Sequence, residues 1–444
     1  TKILFIGYYI YLMVTNKNNR INKQVVQQRI VMSALILSSK KFILSIQRRI
    51  RETYFQGDSI LITEPLSDEN RSELTPQFGV IIELDHYFSH PATELLQRLT
   101  DNGVLPAIET VIAFSEGDIL RAAHIREILD IPGQRFDQAI LFRDKILMKQ
   151  HAARYGVVTA MPQDANQVAN WQSLPYPVVI KPKSGRGSQK TLKVTSCEHW
   201  AEIGTDIDPT DMIIEPFIEG EVFHVDGLVV NGKMSVCSPA KYVGNCMDFV
   251  GGQSLGSYTL SESNPLYRPL TEFSRYLLEH VFPTPEHSLF HIECFVGNDQ
   301  HITLCEIACR LGGNDLVTEV ELAYGVNVVE AYLHAEFNAE ALCPQTRTPG
   351  QLGGRFQLPP QTGRLSCSGH SPFRHEGIVR FQSRAVSGQR YNAMTMSNDA
   401  LIHVIVKADS EARMEQIFRD IAQWAASEFT WSAETEEVTS CMQS

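Results

Sequence analysis

The chain has 444 residues, a formal net charge of −12, 43% hydrophobic residues and 20% charged residues. This length is enough for about three domains, and the hydrophobic content allows buried cores, which excludes a chain that is disordered throughout. The acidic balance, 51 Asp and Glu against 39 Lys and Arg, argues against a nucleic-acid-binding protein, because phosphate backbones are held by clustered basic side chains.

The nine cysteines are scattered and include no C-x-x-C pair. An odd number does not fit a closed set of disulfides, and a chain of this size does not need them, so we predict reduced thiols and a cytoplasmic protein. The most apolar stretch near the start, residues 30–37, is far shorter than the roughly 20 apolar residues that span a bilayer. We therefore expect no membrane partner and no signal peptide at this stretch.

The first quarter of the chain alternates short apolar runs with helical patterns. Buried strands are predicted at residues 2–7 (KILFIG), 59–63 (SILIT), 79–84 (GVIIEL) and 110–114 (TVIAF). A helix is predicted over residues 119–129, and this alternation is typical of a parallel sheet covered by helices. Residues 8–51 resemble one or two helices. No G-x-G-x-x-G follows the first strand, so a dinucleotide-binding fingerprint is absent.

The middle of the chain predicts a helix over residues 137–155, followed by strands. These strands are predicted at residues 177–182, 191–195, 212–215, 222–230, 291–296 and 301–307. Turn signals at Asn231-Gly232 and at residues 297–299 predict hairpins. Further helices are predicted over residues 322–335 and 410–429, with a strand at 401–406.

A glycine-containing loop, residues 184–188 (SGRGS), lies between two predicted strands. Such a loop could cradle phosphates, because glycine lets backbone N–H groups approach an anion; a plain hairpin turn is the alternative. It is not a Walker A loop, since Ser184 and Gln189 occupy the two glycine positions and a strand follows. Lys181, just before the loop, would place its ammonium beside a bound phosphate. Lys145 is a second candidate phosphate contact or an ordinary surface residue.

Residues 215–221 (EPFIEGE) join two predicted strands. An extended segment of this kind can offer alternating carbonyl and N–H groups to an adenine edge, with Phe217 against the ring. Glu221 could accept hydrogen bonds from ribose hydroxyls. An acidic turn with a buried phenylalanine is the alternative interpretation.

Glu293 and Glu306 give the strongest chemical signal, because each lies in an otherwise apolar strand where an unpaired carboxylate is costly to bury. Magnesium binds carboxylate and phosphate oxygens, and paired strands can direct two carboxylates to one point. A pair of salt-bridged edge residues is the alternative. Because side chains alternate along a strand, Cys294 and Cys305 are expected to point away from the site into the core.

Arg310 follows Glu306 by four residues and precedes Leu311, Gly312, Gly313 and Asn314. An arginine beside a metal-bound triphosphate can stabilise the transferring phosphoryl group or clamp a substrate carboxylate. The two glycines would let backbone N–H groups face the same anion. By itself this segment is only a loop.

Taken together and in this order, these motifs resemble the ATP-grasp superfamily of carboxylate–amine ligases, and within it the L-amino-acid ligases. The resemblance extends over nearly the whole chain. It implies an ATP-grasp fold of α/β and α+β character, with an N-terminal parallel-sheet domain, two lobes that clasp ATP and a small C-terminal α+β segment. The implied segments are an α/β domain (1–120), a first lobe with the glycine loop (121–210), a second lobe with the metal site (211–345), an α+β segment (346–432) and a flexible tail (433–444).

The resemblance also implies roles for individual residues. The residues expected to hold ATP are Lys145, Lys181, Gly185, Gly187, Ser188, Glu215, the backbone of Pro216, Phe217, Ile218 and Glu221. Glu293 and Glu306 would bind Mg²⁺, with Mn²⁺ as an alternative, and Arg310 would be catalytic. Substrate contacts are expected from Gly312, Gly313 and Asn314. Ala308 stands where many members carry an asparagine, so the third metal ligand stays open, and Asn314 is the candidate.

The function implied is ATP-dependent activation of a carboxylate, such as that of an amino acid, as an acyl phosphate that is then coupled to an amine. Small-molecule acid and amine substrates would be the partners, a homodimer stays open, and residues 184–188 are the candidate lid. One alternative is a carboxylating ligase that uses bicarbonate, which the lack of a biotinyl domain and of an E-H-P triplet disfavours. The other is a non-catalytic ATP-binding regulator, which the presence of both glutamates and Arg310 disfavours.

Overall fold

A computed structural model divides the chain into two compact units, residues 1–132 and 133–444. The described residues are 2–6, 9–15, 21–23, 33–105, 108–185, 187–203, 208–313, 315–337, 349–369, 373–394 and 400–432, with side chains from residue 33 onward except that of Val250. Asn314 and the expected tail at 433–444 therefore lie outside the described residues. Within these ranges, no helix combines the length and apolarity that crossing a bilayer requires.

The first unit is built around a parallel sheet. Its elements are β1 (Lys2–Ile6), β2 (Tyr9–Thr15), β3 (Ile21–Lys23), β4 (Ala34–Leu37), α1 (Lys40–Ser45), α2 (Arg48–Tyr54), β5 (Ile60–Thr63), α3 (Asp68–Leu74), β6 (Val80–Glu83), α4 (Ala92–Asp101), β7 (Thr110–Ala113) and α5 (Ile119–Ile128). Four strands pair in the order β6-β5-β4-β7, all parallel. β4 and β5 read ALIL and ILIT and are buried throughout, as expected for parallel strands covered on both faces.

Two expectations for the start of the chain are wrong. Residues 2–6 do form a strand, but β1 pairs antiparallel with β2 in a separate three-stranded sheet, and β4 opens the parallel sheet instead. The region 8–51 contains the helices α1 and α2, but it also contains the strands β2 and β4. A short apolar run has no period that separates strand from helix, so pairing of β4 with β5 and β7 decides its structure.

The second unit begins with helices and a small antiparallel sheet. Its first elements are α6 (Phe136–Ala139), α7 (Lys145–Arg154), β8 (Gln163–Asp164), β9 (Val178–Pro182), β10 (Leu192–Val194), α8 (Cys197–Ile203) and β11 (Met212–Pro216). The strands pair in the order β10-β9-β11-β8. The single helix predicted over 137–155 is thus divided, because the Asp144 carboxylate accepts hydrogen bonds from two backbone N–H groups and starts α7 at Lys145.

An eight-stranded antiparallel sheet, called the central sheet below, follows in the order β16-β15-β12-β13-β14-β17-β21-β19. The remaining elements are β12 (Glu221–Val230), β13 (Lys233–Val243), α9 (Cys246–Val250), β14 (Leu255–Thr259), α10 (Tyr267–Tyr276), β15 (Ser288–Val296), β16 (Ile302–Ala308), α11 (Leu316–Tyr324), α12 (Val328–Phe337), β17 (Leu352–Leu358), β18 (Gly363–Cys367), β19 (Ile378–Ser383), β20 (Arg390–Tyr391), β21 (Ile402–Ala408), α13 (Glu411–Glu428) and β22 (Phe429–Ser432). The expected C-terminal α+β segment is present, and three of its strands extend this sheet.

Local chemistry explains the first predicted hairpin and one broken helix. Asn231 and Gly232 have φ values of 52° and 70°, the left-handed backbone that a tight hairpin turn between β12 and β13 requires. β15 and β16 form the second predicted hairpin. The helix expected over 322–335 is interrupted, because Gly325, with φ 68°, ends α11 in a left-handed cap. The predicted segment boundaries inside the second unit stay predictions.

Candidate active site

One pocket in the second unit is lined by residues from both the small sheet and the central sheet. The predicted site residues in its lining are Lys145, Lys181, Gly185, Gly187, Ser188, Glu215, Pro216, Phe217, Ile218, Glu293 and Glu306. Glu221, Arg310, Gly312 and Gly313 are not part of this lining, and Asn314 is not described. The fold therefore brings most of the predicted set together, while the roles given to these residues stay predictions.

The lysine cluster consists of Lys149, Glu215 and Lys181, all buried. The Glu215 carboxylate lies between the two ammonium groups, 2.6 Å from Lys149 Nζ and 2.8 Å from Lys181 Nζ. Burial alone would raise the pKa of Glu215, but the two lysine charges lower it. Burial and the charge of Lys181 lower the pKa of Lys149. Two ammonium groups and one carboxylate leave one positive charge, which reaches the pocket through Lys181.

Lys149 is a residue that sequence reasoning missed. It lies one helical turn after Lys145 in α7, and residues four apart share a helix face. This spacing was the available signal. Because Lys149 contacts Glu215 and Glu215 contacts Lys181, the helix fixes the position of the strand lysine through one carboxylate.

Lys145 connects the glycine loop to the glutamate hairpin. Its ammonium donates to the Gly185 carbonyl at 3.0 Å and lies 3.3 Å from Glu306 Oε2. Gly187 and Ser188 have φ values of 60° and 54°, so the loop turns through left-handed backbone. The loop is thereby held against the start of α7, above the central-sheet glutamates.

Glu293 and Glu306 lie directly opposite each other in the β15–β16 ladder. The next pair is Cys294 with Leu304, so Cys305 is the extra residue of a β-bulge. Cys294 is fully buried, as expected, but Cys305 lines the pocket, so the prediction that it points into the core is wrong. The bulge breaks the alternation on which that prediction depended. Burial raises the pKa of the Cys305 thiol to about 11.

Glu293 accepts a hydrogen bond from the Tyr242 hydroxyl at 3.1 Å, and His291 Nε2 lies 3.4 Å from its carboxylate. Burial would raise the pKa of Glu293, but the hydrogen bond and charge of His291 lower it to about 2. The carboxylate is therefore ionised at neutral pH. His291 and Glu293 share a face of β15, as the alternation of side chains predicted.

Beneath the pocket, Asp226 lies between two imidazoles, and we call His224, Asp226 and His291 the imidazole cluster. The Asp226 carboxylate lies 2.7 Å from His224 Nδ1 and 3.0 Å from His291 Nδ1. Their ligand atoms all lie within 4.8 Å of one another, a spacing compatible with a metal ion. The two distances are those of hydrogen bonds, so we interpret the cluster as a structural network. Asp226 also accepts from the Gly312 N–H at 3.0 Å.

The same network also reaches Gly313. Ser257 contacts His224 Nε2 and donates to Glu319 at 3.1 Å, and Glu319 lies 3.4 Å from Arg355 Nε. Arg355 in turn donates to the Gly313 carbonyl at 2.9 Å. The predicted substrate loop is therefore held at the Gly312 N–H by Asp226 and at the Gly313 carbonyl by Arg355. The spacing His224-x-Asp226 on one strand face was the only sequence signal for this network.

The predicted adenine segment forms one wall of the pocket through Pro216, Phe217 and Ile218. Lys193 Nζ lies 3.7 Å from the centroid of the Phe217 ring, so a cation occupies one face of that ring. Glu221 is exposed, and its carboxylate pairs with Lys241. Arg310 is half-buried and donates to the Leu311 carbonyl at 2.7 Å.

Known proteins resemble this chain in sequence and in fold. A family model described as an ATP-grasp domain matches residues 143–265, which contain the lysine cluster, the glycine loop and the adenine segment. The crystal structure of an L-amino acid ligase from Bacillus licheniformis superposes with a TM-score of 0.67 at 15% identity, covering 90% of this chain and 98% of that chain. Residues 143–265 thus match an ATP-grasp domain, and the chain has the ATP-grasp fold. The expected ATP-grasp fold is thus confirmed, as is the resemblance to L-amino-acid ligases.

A curated relative of this chain is an L-arginine-specific L-amino acid ligase of Bacillus subtilis, 24% identical over 269 residues. The match covers 57% of this chain and 64% of the relative, so the chain spans less than two thirds of that protein's length. The N5-carboxyaminoimidazole ribonucleotide synthetase of Thermotoga maritima superposes with a TM-score of 0.58 at 14% identity, covering 90% of this chain and 99% of that chain. At these identities, the structural matches show a shared fold.

Proposed function

We propose that this protein is an ATP-dependent ligase that activates a carboxylate, that of an amino acid, as an acyl phosphate and couples it to an amine. The observation that carries the proposal is one pocket in which Lys145 and Lys181 face the paired carboxylates of Glu293 and Glu306. The similarity to an L-arginine-specific L-amino acid ligase supports an amino acid as the acid. The product would be an amide or a dipeptide.

The lysines and the glycine loop supply what phosphoryl transfer needs. The transition state carries charge on the phosphoryl oxygens, and preorganised positive groups stabilise it. Lys181 is already fixed by Glu215, and Lys145 by the Gly185 carbonyl and Glu306, so little reorganisation is needed. The extended segment around Phe217 would hold the adenine.

Glu293 and Glu306 suit a divalent cation of the hard, oxygen-binding kind. Carboxylate oxygens are the ligands that Mg²⁺ prefers together with phosphates, and the lowered pKa of Glu293 keeps its carboxylate ionised. These two residues would hold Mg²⁺, or Mn²⁺ in its place. When bound, the ion supplies charge neutralisation to the phosphates.

The reaction has two balanced steps. A carboxylate oxygen of the acid forms a bond to the γ-phosphorus of ATP as the bond to the ADP oxygen breaks. The amine nitrogen then attacks the acyl carbon, inorganic phosphate leaves, and the nitrogen loses a proton. Because water competes with the amine, the pocket must exclude it, and residues 184–188 are the candidate cover over the phosphates.

A carboxylating ligase that uses bicarbonate is the second candidate. The shared fold with the Thermotoga maritima synthetase favours it, since ATP-grasp structures of both kinds resemble this chain. In that reaction bicarbonate would take the place of the amino acid as the acid. The chemistry expected from the lysines and glutamates is the same in both cases.

The test is phosphate release from ATP and Mg²⁺ with pools of amino acids, and separately with bicarbonate and amines, followed by mass spectrometry of the products. Release that requires two amino acids, with a dipeptide product, supports the ligase. Release that requires bicarbonate supports the second candidate. Tight ATP binding without release under any pool favours a non-catalytic regulator and overturns both.

Glu306→Gln is the matched variant for this assay. Loss of one carboxylate of the paired glutamates should reduce turnover roughly 10²–10³-fold or more while the protein stays folded. Glu272→Gln, at a side chain that is 56% exposed on α10, is the control and should keep wild-type turnover. Full activity of Glu306→Gln would remove this residue from the site.

A further inference from the structure

The contacts between lining residues show in which order these residues follow one another along the pocket. Lys145 Nζ lies 3.3 Å from Glu306, and Glu306 is paired across the ladder with Glu293. Glu293 accepts from the Tyr242 hydroxyl at 3.1 Å, and the Arg355 guanidinium lies 6.0 Å from the Tyr242 ring centroid. All five residues line the same pocket. It therefore runs from the lysines, past the glutamates, to Arg355.

The order of strands in the central sheet gives the distance between the backbones of Glu293 and Arg355. Glu293 is on β15 and Arg355 on β17, and the sheet order β15-β12-β13-β14-β17 separates them by four strand spacings. At about 4.8 Å for each spacing, the two backbones are about 19 Å apart. The pocket thus continues past the glutamates on the side opposite to Lys145, and the side chains of Tyr242 and Arg355 reach back toward Glu293. We call this end the far compartment and define it by Tyr242, Met247, Phe249, Leu255 and Arg355.

The far compartment is apolar in its walls. Tyr242, Phe249 and Leu255 belong to one buried apolar cluster, and Met247 is half-buried on α9. Such walls accept a hydrocarbon, thioether or aromatic side chain, because its contact with them removes apolar surface from water. The single charged group of the compartment as defined is the Arg355 guanidinium, which contacts Glu319 behind it.

The carboxylates of the pocket already have partners, and the one that borders the far compartment is Glu293, which accepts from the Tyr242 hydroxyl. Among the described lining residues, the acidic side chains are Glu215, Glu293 and Glu306. The first is held between two lysines, and the other two are the candidate metal ligands. A cationic side chain in the far compartment would meet apolar walls and a like charge, both of which are unfavourable for a buried cation.

We propose that the far compartment receives the side chain of the carboxylate substrate and selects an uncharged, apolar α-amino acid over a cationic one. This inference rests on the proposed function. With Lys145 and Lys181 on the ADP phosphates, the carboxylate would approach the γ-phosphorus in line, from the side away from the lysines. The acid would therefore differ from the arginine named for the Bacillus subtilis relative.

The experiment uses L-norleucine and L-lysine, which share one carbon skeleton and differ by the terminal ammonium. With ATP and Mg²⁺, hydroxylamine takes the place of the amine and traps the acyl phosphate as a hydroxamate, so the acid is tested alone. We expect kcat/KM for norleucine to exceed that for lysine by at least about tenfold. Equal values, or a preference for lysine, would overturn the inference while leaving the ligase intact.

Two variants at Met247 test whether the far compartment is the part of the pocket that distinguishes apolar from cationic side chains. Met247→Glu introduces a carboxylate into the far compartment, and we expect it to reduce the norleucine-to-lysine ratio about tenfold or more. Met247→Gln has the same size without the charge, and the apolar preference should persist. Melting curves would establish that both variants are folded. An unchanged ratio in folded Met247→Glu would refute the assignment. If neither acid, nor any other, yields hydroxamate or phosphate, the proposed function itself fails and this inference fails with it.

Discussion

The lysine cluster and the imidazole cluster both hold a buried carboxylate, but they do so with different nitrogen groups. In each, one buried carboxylate lies between two nitrogen groups: Glu215 between ammonium groups and Asp226 between imidazoles. The ordinary pKa of an ammonium, about 10.4, lies far above neutral pH, whereas that of an imidazole, about 6.5, lies close to it. The two carboxylates should therefore differ in how much the fold depends on their charge.

The clusters also differ in what they position. The lysine cluster presents Lys181 directly to the pocket. The imidazole cluster acts through His291 on Glu293, which lines the pocket, and through Asp226 on the Gly312 N–H, so it orients neighbouring groups. Substitutions in the two clusters should therefore separate the supply of charge from the orientation of neighbours.

Glu215→Gln should give the largest loss of stability, about 3–5 kcal/mol, because it leaves two buried ammonium groups without a counter-charge. Urea denaturation of the wild type and the variant at neutral pH measures this loss. Glu221→Gln is the control, since that carboxylate is 60% exposed and its ion pair should contribute about 0–1 kcal/mol. A loss for Glu215→Gln no larger than the control would contradict the account of the lysine cluster.

The same variant should reveal a pH dependence. Because the folded pKa of Glu215 is lowered, its contribution to stability is present above the unfolded value of about 4.3 and is lost as the pH falls through the folded value. The stability difference between wild type and Glu215→Gln should therefore be greatest near neutral pH and shrink in acid. Denaturation midpoints across this range measure it, and a difference that grows in acid would show that the sign is wrong.

Asp226→Asn should cost less, about 1–3 kcal/mol, through weakened hydrogen bonds to His224, His291 and the Gly312 N–H. The cost is smaller because Asp226 raises the pKa of His291, so this imidazole can lose its proton when the carboxylate is removed. The comparison with Glu215→Gln in the same denaturation series is the measurement. Equal or greater destabilisation by Asp226→Asn would erase the distinction between the clusters.

Lys149→Met should have the smallest effect, within about 1 kcal/mol. The substitution removes a buried ammonium and leaves Glu215 and Lys181 as a balanced ion pair, and replacing a buried charge by an apolar group of similar size is often neutral. Urea denaturation again provides the value. A loss as large as that of Glu215→Gln would mean that both ammonium groups are required to hold the carboxylate.

Much of the fold could be predicted from the sequence because its signals are local. Apolar runs identified β5, β6 and β7, and the Asn231-Gly232 turn identified the first hairpin. The same local reasoning failed where the pattern has no period. The four-residue strand β4 within residues 8–51 is an apolar run that only its pairing with β5 and β7 defines.

Sequence spacing alone determined the pairing of Glu293 with Glu306, the lysine beside the glycine loop and the extended segment around Phe217, because each lies within one hairpin or strand. Tertiary structure alone decided that Cys305 faces the pocket, since a bulge reverses its direction. It also decided that Arg355 belongs to the pocket, because the strand order of the central sheet places β17 on the same surface as β15. Spacing encodes neighbours along a chain, whereas the order of strands is set by how whole elements bury their apolar faces.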